Sequence, residues 1–248
     1  MPVKKIIKKF IIILFFLVLW QVVAFFANKD LLIGIPTPFS VAMAFIRLSK
    51  NISFWLSALY SLYRVLIGFL FAVIVATILA VLCQKVKILN EFISPVLRLM
   101  RAVPVAAFII LVFLWVKEKN IPTLIAFLTV LPIIWENTYN ALCSVDKNLI
   151  EMALVMGMKK GSILRYITFP SIKPAYSAAL ITGLGFAWKS GVAAEVISRT
   201  EISLGNLLWI GKNAIDYDEV FAVTAVIVLF SVIFEYLLKM TLSKGVAK

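Results

Sequence analysis

The chain has 248 residues, of which 63% are apolar and 15% charged, with a mean hydropathy of +1.04. Soluble globular chains run at roughly 45–50% apolar and about a quarter charged, so this one has more apolar surface than a soluble core can hide, and a bilayer is the natural solvent for the excess. The net charge of +13 is scattered through apolar segments and short loops, with no basic stripe for nucleic acid, and the absence of histidine removes the commonest general base and metal ligand.

In chain order, the first apolar run covers residues 6–27, with Lys4, Lys5, Lys8 and Lys9 before and within its start. A signal peptide also starts basic, but its apolar core is roughly 7–15 residues and closes on small ones. Trp20, Phe25 and Phe26 occupy that place here, so the run reads as a retained helix. Residues 31–51 hold Gly34, Pro36 and Pro38, a turn-rich connection leading to a short amphipathic stretch over 41–48. Further spans are expected at 58–83, 103–116, 121–138, 175–198 and 220–238. The third is short, and 97–102 is expected to extend it past Pro104. The reading is an all-α integral membrane protein of six transmembrane helices. Its parts are an N-terminal helix and external connection (1–56), a membrane domain (57–242) and a cytoplasmic tail (243–248). Cys83 and Cys143 make no metal-ligand pattern and are expected as free thiols.

Six spans put both termini on one side. With that side cytoplasmic, sixteen Lys and Arg fall inside and eight outside, and Lys189 lies within a span. The asymmetry follows the positive-inside rule and sets the loop of residues 141–174 in the cytoplasm. Gly68, Ala72, Ala76 and Ala80 recur every four residues in the second span. Ala175, Ala179, Ala187 and Gly191, with Gly183 between, do so in the fifth. Such stripes permit close backbone approach, a main source of helix association in lipid.

The loop reads as helix, glycine turn, helix. Asp146 or Asn148 can cap the first helix, and Asn148 with Glu151 has capping-box spacing. Gly157 suits the left-handed C-terminal turn, and Ser162 can cap a second helix that Pro170 ends. Leu149, Ile150, Met152, Leu154 and Met156 make the knob apolar. The residues leave two settings open, a groove on a partner protein or the lipid head groups.

The spacing Glu151-Met152-Ala153, three residues, Gly157, nine residues, Ile167-Thr168-Phe169-Pro170 resembles the EAA loop of ABC-importer permeases, with Met152 and Phe169 as mild departures. Residues 61–69, 98–104, 137–139 and 144–146, and the Pro36-Thr37-Pro38 turn, resemble segments of the nitrate/sulfonate/taurine uptake family. Lys147 stands where that family commonly has proline. The resemblance implies the type I permease fold, with Glu151, Ala153, Gly157, Ile167 and Pro170 coupling to an ATPase. It further implies a second copy of this chain, two ATP-binding subunits holding ATP and Mg, and an external binding protein delivering a small solute. The place implied is the bacterial inner membrane, with both termini cytoplasmic and lipid around the spans. The chain itself would bind no cofactor and catalyse nothing; no G-x-x-x-x-G-K-[ST] occurs in it. Cargoes implied are nitrate, sulfonates, taurine or heterocyclic vitamin precursors.

Ionisable residues in spans normally face a partner or a wet cavity. Lys189 is two positions from both Ala187 and Gly191, roughly 200° around the helix from that stripe, which points it toward a pathway. Trp188, Glu195 and Arg64 are further candidates for lining it. The alternative for Lys189 is a structural ion pair with Glu195 or Glu136. A rival function is a self-sufficient secondary transporter coupled through Lys189 and Glu195, although more spans and internal repeats would then be expected. A membrane-embedded enzyme lacks any supporting nucleophile, metal or paired-acid motif.

Overall fold

A computed structural model describes residues 2–30 and 34–244, and every element among them is helical. The helices are α1 (Pro2–Asp30), α2 (Pro38–Ser49), α3 (Ile52–Lys85), α4 (Lys87–Ala102), α5 (Val105–Phe113), α6 (Ile121–Cys143), α7 (Lys147–Val155), α8 (Lys160–Ile163), α9 (Phe169–Ser198), α10 (Leu204–Asn213) and α11 (Tyr217–Lys244). Residues 31–33 of the expected connection and 245–248 of the expected tail lie outside the described residues, while α11 itself runs into the tail as far as Lys244.

Four helical segments are long and apolar enough to cross a bilayer: Ile52–Lys85, Glu118–Cys143, Lys160–Ser198 and Tyr217–Leu242. Each exceeds the roughly 20 residues a span needs. Six spans are therefore more than length and composition establish among the described residues. In α1 the apolar stretch is the shorter Ile11–Ala27. It touches the bundle at Trp20, whose indole N–H donates to the Pro36 carbonyl at 3.0 Å and whose ring lies beside Phe221.

The expected third span is corrected. Residues 97–102 do not extend it as a straight helix; they end α4, and α5 leaves at a bend of 101°. Proline explains the break. Pro104 disfavours helical geometry at the residue before it, and Val103 is extended at φ −74° and ψ 127°. The pair can make one broken span, the fifth in the count.

The core is α3, α6 and α9 packed side by side, with α10 and α11 closing over α9. Gly68, Ala72, Ala76 and Ala80 are buried along α3, as the stripe implies. A Cβ on Gly68 would come within 2.2 Å of the Thr123 carbonyl oxygen, so backbone meets backbone there. On α9, Ala179, Gly183, Ala187 and Gly191 are buried, but Ala175 is exposed because it lies beyond the packed part of the helix. Leu70, Phe71, Ile74 and Ile78 on α3, and Val228, Leu229 and Val232 on α11, are exposed and apolar, the surface lipid would cover.

Candidate coupling loop and intramembrane charges

Asp146 caps α7 by accepting from the Asn148 amide at 2.8 Å, which settles the choice of cap in favour of the aspartate. Gly157 has φ +78°; Met158 N–H donates to Ala153 O and Gly157 N–H to Leu154 O, both at 2.9 Å. Those two bonds define a Schellman turn with glycine at its left-handed position. A Cβ on Gly157 would meet nothing within 4 Å, so backbone angle alone calls for glycine.

The second half of the loop differs from expectation. The N-cap is Lys159, with Ser162 inside the helix, and Pro170 does not end it. α8 runs through a π turn at Leu164–Thr168 directly into α9. Proline lacks an N–H and its ring crowds the carbonyl four residues back; a wide turn ahead of Pro170 relieves both. The second half of the knob is thus continuous with a central helix of the bundle.

Of the coupling candidates, Ala153 is buried, Ile167 half-buried, and Glu151, Gly157 and Pro170 exposed. Met152, Leu154, Val155 and Met156 lie exposed beside them, Val155 at 89%. So large an apolar patch on a tight turn is the mark of a contact surface.

At the other end of the bundle, Arg64 and Glu195 meet. The Glu195 side chain has no exposed surface, and one oxygen sits 3.7 Å from the Arg64 guanidinium. Its other oxygen accepts from the Ser61 hydroxyl at 2.7 Å and from the Gly205 amide at 3.3 Å. Ser61 Oγ in turn accepts from the Leu204 amide at 2.9 Å. Arg64 also donates to the carbonyls of Ile202 and Glu201 at 3.0 and 3.2 Å. The network straps α3 to the α9–α10 turn, where Arg199 and Ile202 take positive φ. Sequence reading missed Ser61 and this turn, because a serine one helical turn before an arginine signals nothing by itself.

Neither expected ion pair of Lys189 forms: Glu195 is held by Arg64 and Ser61, and Glu136 pairs with Arg101. Coupling through Lys189 and Glu195, the basis of a self-sufficient transporter, therefore has no geometry behind it. Lys189 is exposed on α9, away from the buried stripe. Trp188 is buried instead, donating to the Ile227 carbonyl at 2.9 Å and packing edge-on against Phe230 and Phe234. The four pathway candidates thus do not converge.

Known proteins share this architecture. Residues 68–242 match the model of the family described as binding-protein-dependent transport system inner membrane component, so the chain belongs to that family of membrane-embedded ABC-importer permease subunits. The riboflavin transport system permease protein RibX of Chloroflexus aurantiacus is 30% identical, over 87% of this chain and 80% of that protein. The nitrate import permease protein NrtB of Synechococcus elongatus is 27% identical, over 80% and 74%. A structure of the MetNI methionine ABC transporter in inward-facing conformations superposes with a TM-score of 0.59 at 18% identity, covering 78% of this chain and 95% of that one. The fold is that of the type I ABC-importer permeases.

Proposed function

We propose that two copies of this chain form the translocation pathway of an ATP-driven importer in a bacterial inner membrane, with both termini cytoplasmic. Two separate ATP-binding subunits hold ATP and Mg and supply all catalysis, while an external binding protein delivers a small solute. The observation that carries the reading is the exposed apolar knob on α7, joined through the Gly157 turn to α8, which is continuous with α9. A push on Glu151, Ala153 or Gly157 crosses the glycine turn to α8, and one on Ile167 or Pro170 acts directly on the helix that continues as α9 into the bundle. Alternating access needs such a stiff two-state lever.

Lys189, exposed on that lever, faces the pathway and favours anionic cargo. Water or an anion must reach an ammonium at that depth, and a partly desolvated charge attracts an anion strongly. The varied solutes named for the relatives leave the cargo open between an inorganic or organic anion and a heterocyclic vitamin precursor.

The test is assembly and coupling. The chain should co-purify with an ATP-binding subunit and support ATP-dependent uptake in proteoliposomes. Glu151→Lys should insert normally and lose coupled uptake; full uptake by that variant would remove the coupling role. Lys189→Ala should lower uptake of an anion while assembly and basal ATPase activity persist, and loss of assembly instead would make the lysine structural.

A further inference from the structure

A cleft of about 400 Å³ opens at the bend between α4 and α5, closed on its other sides by α6 and α9. Phe108 from α5 and Phe186 from α9 form part of its apolar wall. Thr182 from α9, Asn137 from α6 and Arg101 from the end of α4 bring a hydroxyl, an amide and a guanidinium to it. The Asn137 side-chain N–H donates to Ile133 O at 2.8 Å; its oxygen and the Thr182 hydroxyl have no partner among the described residues. Arg101 pairs with Glu136, but a guanidinium has five donors and can serve a second acceptor.

The composition rules on the occupant. Three polar groups converge here, whereas Leu70, Phe71, Ile74 and Ile78 on α3 and Val228, Leu229 and Val232 on α11 offer lipid only apolar side chains. A concave, mainly apolar space of a few hundred Å³ with a few convergent polar groups is the form of a small-molecule site.

We propose that this cleft is a solute site within the pathway and takes an aromatic carboxylate, its ring against Phe108 and Phe186 and its anionic end at Arg101. The proposal rests on the pathway reading above and names the cargo class that reading leaves open. It also places specificity inside the membrane subunit.

The experiment uses the assembled complex in proteoliposomes, in a background of Cys83→Ala and Cys143→Ser. Thr182→Cys and, on the lipid-type face, Ile78→Cys are exposed singly to two water-soluble methanethiosulfonates, one bearing a sulfonate and one a trimethylammonium group. Thr182→Cys should react with both, the anionic reagent about tenfold faster, as expected for a charge at a partly desolvated site. Benzoate should slow the reaction and acetate should not. The anionic preference should vanish in Arg101→Gln/Glu136→Gln, and benzoate protection in Phe186→Ala, which disturbs no ion pair. Reactivity no greater than that of Ile78→Cys would show lipid in the cleft and overturn the proposal. A spontaneous disulfide linking two copies of the Thr182→Cys chain would give the cleft to the second copy and likewise overturn it. Labelling without charge preference or benzoate protection would leave a water-filled space that is no anion site. None of these readouts consumes ATP, so they stand or fall apart from the ATPase co-purification.

Discussion

At the scale of single residues, the loop and the strap represent two kinds of information. Gly157 was legible in the sequence because its role is local: a left-handed turn is specified by a few consecutive residues, and its φ of +78° matches the expectation. Gly157→Ala should destabilise the turn by about 1 kcal/mol, the penalty for an L-residue in the left-handed region, and Gly157→Asn by less. Hydrogen exchange at Met158, whose amide closes the turn, would check this, since an unchanged exchange rate in Gly157→Ala would mean that the glycine is dispensable. The Arg64–Glu195 contact was not legible, since the partners are far apart in sequence and nothing in either neighbourhood names the other. Breaking a buried pair from one side leaves an uncompensated charge and costs about 3–5 kcal/mol, while removing both charges is far milder. Arg64→Met should therefore lower the thermal transition of the purified protein markedly, and Arg64→Met/Glu195→Met should recover most of it. A double variant no more stable than the single would show that Glu195 does not depend on Arg64.

At the scale of elements, proline decides what hydropathy cannot. The apolar run over residues 103–116 looks like a short span, and only the geometry imposed by Pro104 on Val103 turns it into one limb of a bend. The signal was present in the Val103-Pro104 dipeptide but was outweighed by the apolar residues on both sides. Pro170 misleads in the opposite sense. It reads as a stop, yet the chain absorbs it with a π turn and continues, which joins the knob to α9. Pro170→Ala restores the missing N–H, so the wide turn should close to α-helix. With the extra residue of the π turn retained but no longer absorbed, everything before it rotates by roughly 100° about the axis, one residue's worth of helix. The variant should insert, assemble and keep basal ATPase activity while most coupled uptake is lost, because the knob would present another face. Full uptake would show that the turn's register is immaterial.

At the scale of the whole molecule, the small-residue stripes are buried as the sequence implies at every position but Ala175, because they follow from a periodicity that one helix displays alone. Sidedness is a different matter. The sixteen-to-eight division of Lys and Arg rests on six spans, whereas four helical segments and one bent pair meet the length and composition of a span among the described residues. One bundle geometry still makes a firm demand. Ser162 lies in the knob and Asn213 ends α10. The single span α9, 30 residues long, separates the two segments. At 1.5 Å per residue it is longer than the roughly 30 Å hydrocarbon core, so the two positions belong on opposite sides whatever α1 does. With the loop cytoplasmic, a cysteine replacing Ser162 should react with a membrane-impermeant thiol reagent only in inverted vesicles. One replacing Asn213 should react only in intact, right-side-out cells, again without Cys83 and Cys143. Labelling of both from the same side would mean that α9 does not cross the bilayer. The reverse sidedness would carry the knob away from any cytoplasmic ATPase, and the coupling mechanism would fail with it.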